Sequence, residues 1–123
     1  MILVDSCGWI EFFKGGTLAS RYYEFLKDES KLIVPTIVIC EVYKILRREL
    51  GKESATMGIG HMHYGAIVPL KTQTAVLAGE LSLEHKLPLA DAIVYATAIE
   101  YDASLITGDK HLRGLPRVKF IEK

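Results

Sequence analysis

Cysteine is scarce in this chain: Cys7 and Cys40 are the only two among 123 residues. Two isolated thiols make neither a disulfide framework nor a zinc knuckle, and they suit a reducing compartment as small apolar residues. Long apolar runs are missing as well. The opening "MILVDSCGWI" meets an acid at Asp5 and has no basic flank, so it lacks the form of a signal peptide. No stretch approaches the roughly 20 apolar residues of a membrane span. The cytoplasm is the expected location, with no membrane partner. Net charge is absent too, since 15 lysines and arginines balance 15 aspartates and glutamates. A nucleic-acid binder is usually basic. Committing four acids to one site, however, leaves 15 basic residues against 11 acidic ones, which permits such a partner without favouring it. No repeat, low-complexity tract or Pro/Gly-rich linker divides the chain. The expectation is one domain over residues 1–123, large enough for a real core.

What the chain has is apolar residue, half of its length, arranged in two periodicities. Five short runs read as strands: "ILVD" (2–5), "KLIV" (31–34), "AIVPL" (66–70), "SLIT" (104–107) and "VKFIE" (118–122). The first and fourth are continuous, as strands covered on both faces tend to be. The last alternates Val118 and Phe120 against Lys119 and Ile121, which suits an edge. Helical patterns lie between: Trp9, Phe12 and Phe13 at i, i+3, i+4, then "LASRYYEFLKD", "TIVICEVYKILRREL", a segment around 52–63, "TAVLAGELSLEHK" and "KLPLADAIVYATAIEY". Three glycines make "MGIGHMHYG" a poor helix, expected to be short or frayed. Alternating strands and helices predict an α/β sandwich around a mostly parallel sheet.

Four acids sit where such a fold gathers its ligands, outside the carboxyl ends of the strands. Asp5 ends the first strand, and Asp109 follows the fourth in "LITGDKHL". Glu41 lies one turn into the helix after "VPT", with Thr36 as the expected N-cap. It shares a stripe with Ile37 and Ile45 and so faces inward. Asp91 falls in the first turn after Pro88, in a helix with almost no polar face. Each acid alone admits a plainer role: Asp5 and Asp109 as turn residues, Asp91 as a complement to the helix dipole. Glu41 resists one, because an unpaired buried carboxylate is expensive. Together the four share one explanation. Clustered carboxylates repel and raise one another's pKa values, unless a hard divalent cation such as Mg²⁺ or Mn²⁺ lies among them.

The segments "ILVDSCGWIEFF", "VPTIVICEVYKIL", "KLPLADAIVYATA" and "ASLITGDKHL" follow in an order that resembles the PIN-domain ribonucleases, and within these the VapC-type toxins of toxin–antitoxin pairs. The resemblance implies a three-layer α/β/α sandwich with a central parallel five-stranded sheet of order 3-2-1-4-5. It implies an Mg²⁺- or Mn²⁺-dependent ribonuclease that hydrolyses RNA phosphodiesters, with Asp5, Glu41, Asp91 and Asp109 as catalytic, metal-holding acids. Thr107 and Ser6 then match supporting hydroxyls. It also implies a homodimer and a cognate antitoxin. Cys7 departs from the Ser that these toxins often carry, and no role is assigned at position 7.

Asp5, Asp91 and Asp109 are expected to bind metal, and Glu41 to bind metal or hold the attacking water. Hydrolysis by water leaves a 5′-phosphate and a 3′-hydroxyl and does not need the RNA 2′-OH. Lys44 and Arg48, at i+3 and i+7 from Glu41, and Lys110 and Arg113, after Asp109, are candidate phosphate contacts or an ordinary solvated face. His61, His63, His85 and His111 are not expected to hold metal. The aromatics of the first two helices are expected in the core, with some left for a partner surface. Competing readings are a PIN-like RNA-binding or regulatory module without catalysis, a housekeeping RNA-processing nuclease, and a receiver-type phosphotransfer domain.

Overall fold

The computed structural model describes residues 1–123. Strand β1 is Ile2–Val4, followed by helices α1 (Ser6–Lys14) and α2 (Ala19–Leu26), then β2 (Leu32–Pro35). Helices α3 (Thr36–Leu50) and α4 (Lys52–Met62) lead to β3 (Ala66–Val68), and α5 (Thr72–His85) and α6 (Leu89–Glu100) to β4 (Ser104–Thr107). A short 3₁₀ turn, Lys110–Leu112, precedes β5 (Val118–Phe120). The five strands form one sheet of order β3-β2-β1-β4-β5, parallel at every pairing. This is the α/β/α arrangement and strand order that the family resemblance implies.

The order explains where a ligand belongs. From β1 the chain adds β2 and β3 on one side, then crosses back to place β4 and β5 on the other. Beyond the carboxyl ends of β1 and β4 the crossovers diverge and leave a crevice. Both strands are buried as continuous apolar runs require: Leu3, Val4, Leu105 and Ile106 are at most 1% exposed. Leu3 lies beside Leu32's neighbour Ile33 on one side and Leu105 on the other.

Four local expectations are corrected. Strand β1 stops at Val4, because Asp5 is already the N-cap of α1, its carboxylate accepting from Ser6 N at 2.8 Å. Thr36 is not a cap: it is the first residue of α3, and Pro35 holds the cap position with no side-chain hydrogen bond. The alternation assumed for β5 is inverted past its end. Ile121 is buried while Val118 and Phe120 are only partly so, since Ile121 N donates to the Thr107 carbonyl at 2.8 Å and turns the side chain inward. Finally, α4 is not frayed but runs through Gly58 and Gly60 to a fully buried Met62. Packing overrides propensity there: a Cβ on Gly58 would lie 2.9 Å from Leu46 Cδ1, so glycine is what lets α4 approach α3.

Gly8 has a similar duty in the first turns of α1, close to the site. A Cβ there would sit 2.6 Å from both the Tyr22 ring and Val4 Cγ1. Neither neighbour is a flexible chain end. Gly8→Ala is expected to destabilise the fold by about 1–3 kcal/mol through overpacking, read as a lower denaturation midpoint. An unchanged midpoint would show that α1 moves freely off the sheet.

Candidate functional site

Asp5 is the best-anchored acid. Its backbone N–H donates to the Ile106 carbonyl at 2.9 Å, tying the end of β1 to β4. The residue is 5% exposed, and its carboxylate receives two hydrogen bonds, from Ser6 N and, at 2.8 Å, from the Thr107 hydroxyl. Burial raises its pKa, these two donors oppose the rise, and the charge of Asp109 adds to it. Thr107, fully buried at the end of β4, also accepts from Asp109 N at 3.0 Å. One hydroxyl therefore joins the first acid to the last.

Asp109 caps the 3₁₀ turn, its Oδ1 accepting from His111 N at 2.9 Å. Asp91 reaches the same point from the first turn of α6. Its pKa is pushed up to about 7, by burial first and then by the neighbouring Asp109 carboxylate. Its Oδ2 is buried with no hydrogen-bond partner. Glu41 comes from α3, which follows β2, on the other side of β1 from β4. It is half-buried on the shoulder of α3, because the fully buried stripe is Val38, Val42 and Leu46 rather than that of Ile37 and Ile45. Burial raises its pKa, as do the charges of Asp5 and Asp109, while the Ser6 hydroxyl and Lys44 pull it back. All four acids thus share one electrostatic neighbourhood, with Asp91 and Asp109 in direct contact.

The expected all-carboxylate group is joined by an imidazole. His111 Nδ1 lies 2.9 Å from Asp109 Oδ1 and 3.4 Å from Asp91 Oδ2, and the three residues form one tight potential ligand group. A single histidine two positions past an acid is no metal-binding pattern in itself; the 3₁₀ turn capped by Asp109 is what brings the His111 ring against both acids. The other histidines stand away from this group. His61 packs against Phe12, Phe13 and Tyr64, and His63 bonds the Ile59 carbonyl.

Cys7 lies under the loop after β4, its Sγ accepting from Gly108 N at 3.3 Å and lying 3.8 Å from both the Tyr22 and Thr107 hydroxyls. Burial raises its pKa, so it stays a thiol. A groove of about 890 Å³ runs from Asp109 and His111 past Cys7 and Tyr22 to Ile45 and Glu11. Of the four acids only Asp109 lines it.

The donor set suits a divalent cation. No lysine or arginine forms an ion pair with any of the four acids; only His111 does. Three of the four carboxyls have raised pKa values, and one buried oxygen has no partner. Oxygen donors of this kind match Mg²⁺ and Mn²⁺. Thr107→Val removes the donor that orients Asp5. It is expected to weaken metal binding by about 10–100-fold and the fold by about 1–3 kcal/mol, measured by calorimetric titration and denaturation. An affinity equal to wild type would mean that Asp5 needs no orienting group.

Residues 2–118 match the PIN-domain family, and the chain belongs to that family. No curated protein sequence matches it. Among solved structures it is similar to a chain of a toxin–antitoxin complex from Klebsiella pneumoniae, with 26% identity, TM-score 0.85 and the full length of both chains covered. It also superposes on VapC20 of Mycobacterium tuberculosis, a toxin that cleaves the sarcin–ricin loop, with 15% identity and TM-score 0.78 over 96% of this chain and 98% of that one. A third similar chain belongs to VapBC2 of Rickettsia felis bound to a promoter DNA fragment, with 17% identity, TM-score 0.76 and 99% and 98% covered.

Proposed function

We propose that this chain, as a single PIN domain over residues 1–123, is an Mg²⁺- or Mn²⁺-dependent endoribonuclease and the VapC-type toxin of a toxin–antitoxin pair. The observation that carries the reading is the buried, unpartnered Asp91 Oδ2 in contact with Asp109, beside a buried Asp5 and without a lysine or arginine to offset their charge. A module that only binds RNA has no use for such repulsion. The family membership and the full-length likeness to a toxin–antitoxin chain support the same reading.

Asp5, Asp91 and Asp109 hold the cation, with Thr107 and Ser6 fixing the Asp5 carboxylate. The cation supplies charge neutralisation at the phosphoryl oxygens and lowers the pKa of bound water. Glu41, with its raised pKa, orients the attacking water and takes its proton; a carboxylate base works best when its pKa is lifted toward the working pH. Lys44 and Lys110 flank the acids and steer the RNA backbone. Exposed Tyr23 and Tyr64, with Phe12 and His61 between them, form an aromatic surface for an antitoxin segment. Val76, Leu83 and Leu89 leave an apolar face on α5 and α6 for a second copy. No helix is long and apolar enough to cross a membrane, and the cytoplasm, where RNA is found, is the proposed location.

The test is to incubate purified protein with single-stranded RNA in Mg²⁺ or Mn²⁺ and to identify the ends. Products with 5′-phosphates and 3′-hydroxyls, formed also when the nucleotide at the cut is 2′-deoxy, are expected. Cyclic phosphate ends, or cleavage that persists in chelator, would refute hydrolysis by this site.

A further inference from the structure

Taking the acidic cluster as a metal centre, we infer that His111 is one of its ligands through Nδ1, and that this nitrogen tilts the centre toward Mn²⁺ over Mg²⁺. Three donors from three positions meet here: Asp91 Oδ2 from α6, Asp109 Oδ1 from the end of β4, and His111 Nδ1 from the turn that follows. The imidazole nitrogen stands 2.9 Å from one oxygen and 3.4 Å from the other. Neighbouring ligands of an octahedral ion held at about 2.1 Å are about 3 Å apart; the shorter separation matches that edge, the longer exceeds it by a few tenths of an ångström, and all three ligand atoms lie within 4.8 Å of one another.

A plain histidine–aspartate hydrogen bond explains less. Nδ1 carries at most one hydrogen, and Asp109 Oδ1, at 2.9 Å, is its natural acceptor. That leaves Asp91 Oδ2 buried without a partner, 3.4 Å from the same nitrogen but not hydrogen-bonded to it. A single cation between the three satisfies every donor at once. The backbone supports this placement, because the His111 N–H donates to Asp109 Oδ1 and so fixes the ring's own residue against the acid. The ring is otherwise exposed and has little packing to hold it there.

The metal preference follows from ligand chemistry. Mg²⁺ dehydrates reluctantly and takes oxygen donors, whereas first-row transition ions accept imidazole readily. Mn²⁺ is the member of that series whose liking for carboxylates matches the rest of this donor set.

The experiment titrates the metal-free full chain with Mn²⁺ and with Mg²⁺ alone, for wild type, His111→Phe and His111→Asp, and records pulsed electron paramagnetic resonance of the Mn²⁺-loaded proteins. His111→Phe keeps a ring but removes the nitrogen, and circular dichroism checks that the fold is retained. The expected result is a nitrogen modulation in the wild-type spectrum that is absent in both variants. Mn²⁺ binding should weaken by about 10–100-fold in His111→Phe, with Mg²⁺ affinity changing far less. His111→Asp should bind both ions, with a smaller Mn²⁺-to-Mg²⁺ ratio than wild type. Wild type without nitrogen modulation, and a ratio unchanged in both variants, would overturn the inference while leaving an all-oxygen centre in place. Failure of wild type to bind either ion would overturn the inference together with the metal centre on which it rests.

Discussion

Asp91→Asn is expected to lower RNA cleavage by at least about 100-fold while leaving the metal-free fold as stable as wild type or more so. Two opposite effects of one change make this informative. The amide keeps the size of the carboxyl but removes its charge, so both the burial of that charge and its repulsion by Asp109, which together push the Asp91 pKa up to about 7, disappear. An amide N–H can also donate to Asp109, the carboxylate that now crowds it. Activity falls for the same reason, because the buried oxygen left unpartnered in the native fold is the one best placed to meet a cation. A side chain kept only to cap α6 would behave differently: its removal would weaken the fold and spare cleavage. Cleavage at wild-type rate, measured beside a denaturation curve, would remove Asp91 from the mechanism.

The second large effect is a stability that falls as pH rises, in protein stripped of metal. Asp91 titrates at about 7 in the fold against an ordinary value of 3.8. Between those two pH values the native state binds more protons than the unfolded chain, so stability declines with rising pH and the full penalty is present only above about 7. Asp5 and Glu41 are raised as well and act in the same direction. Asp28 and Glu49 are lowered, so their contributions are lost in acid, below the window that matters here. Going from pH 5.5 to pH 8 without metal should lower the Tm measurably. Millimolar Mg²⁺ or Mn²⁺ should remove the loss at pH 8 by binding the folded state alone. Thermal melts at the two pH values, with and without metal, read this out. A Tm that rises with pH in chelator would mean that the acids are not crowded.

Much of this was legible in the primary structure, and the remainder divides by cause. Strands β1 and β4 are plain in "ILV" and "SLIT" because strands buried on both faces must be apolar throughout. Asp5 and Asp109 stood out because each directly follows such a run, and Asp91 because it interrupts an apolar helix. Glu41 was placed on the correct helix, but its stripe is the half-buried shoulder beside Val38, Val42 and Leu46. One helical turn cannot distinguish the two from periodicity alone. His111 was invisible because its position depends on a 3₁₀ turn whose cap is itself a site residue. The persistence of α4 through its glycines depends on how closely α3 approaches, a tertiary fact that no local propensity contains. Cys7 belongs to the same group: its bond to Gly108 N spans almost the whole chain.

Crystals of the protein soaked in Mn²⁺ offer the decisive observation. Anomalous scattering should show a peak within bonding distance of Asp91 and Asp109, facing Asp5 and Glu41, and lost in Asp91→Asn crystals. Well-ordered acids with no peak between them, or a peak on a distant surface, would mean that this crevice is not a metal centre.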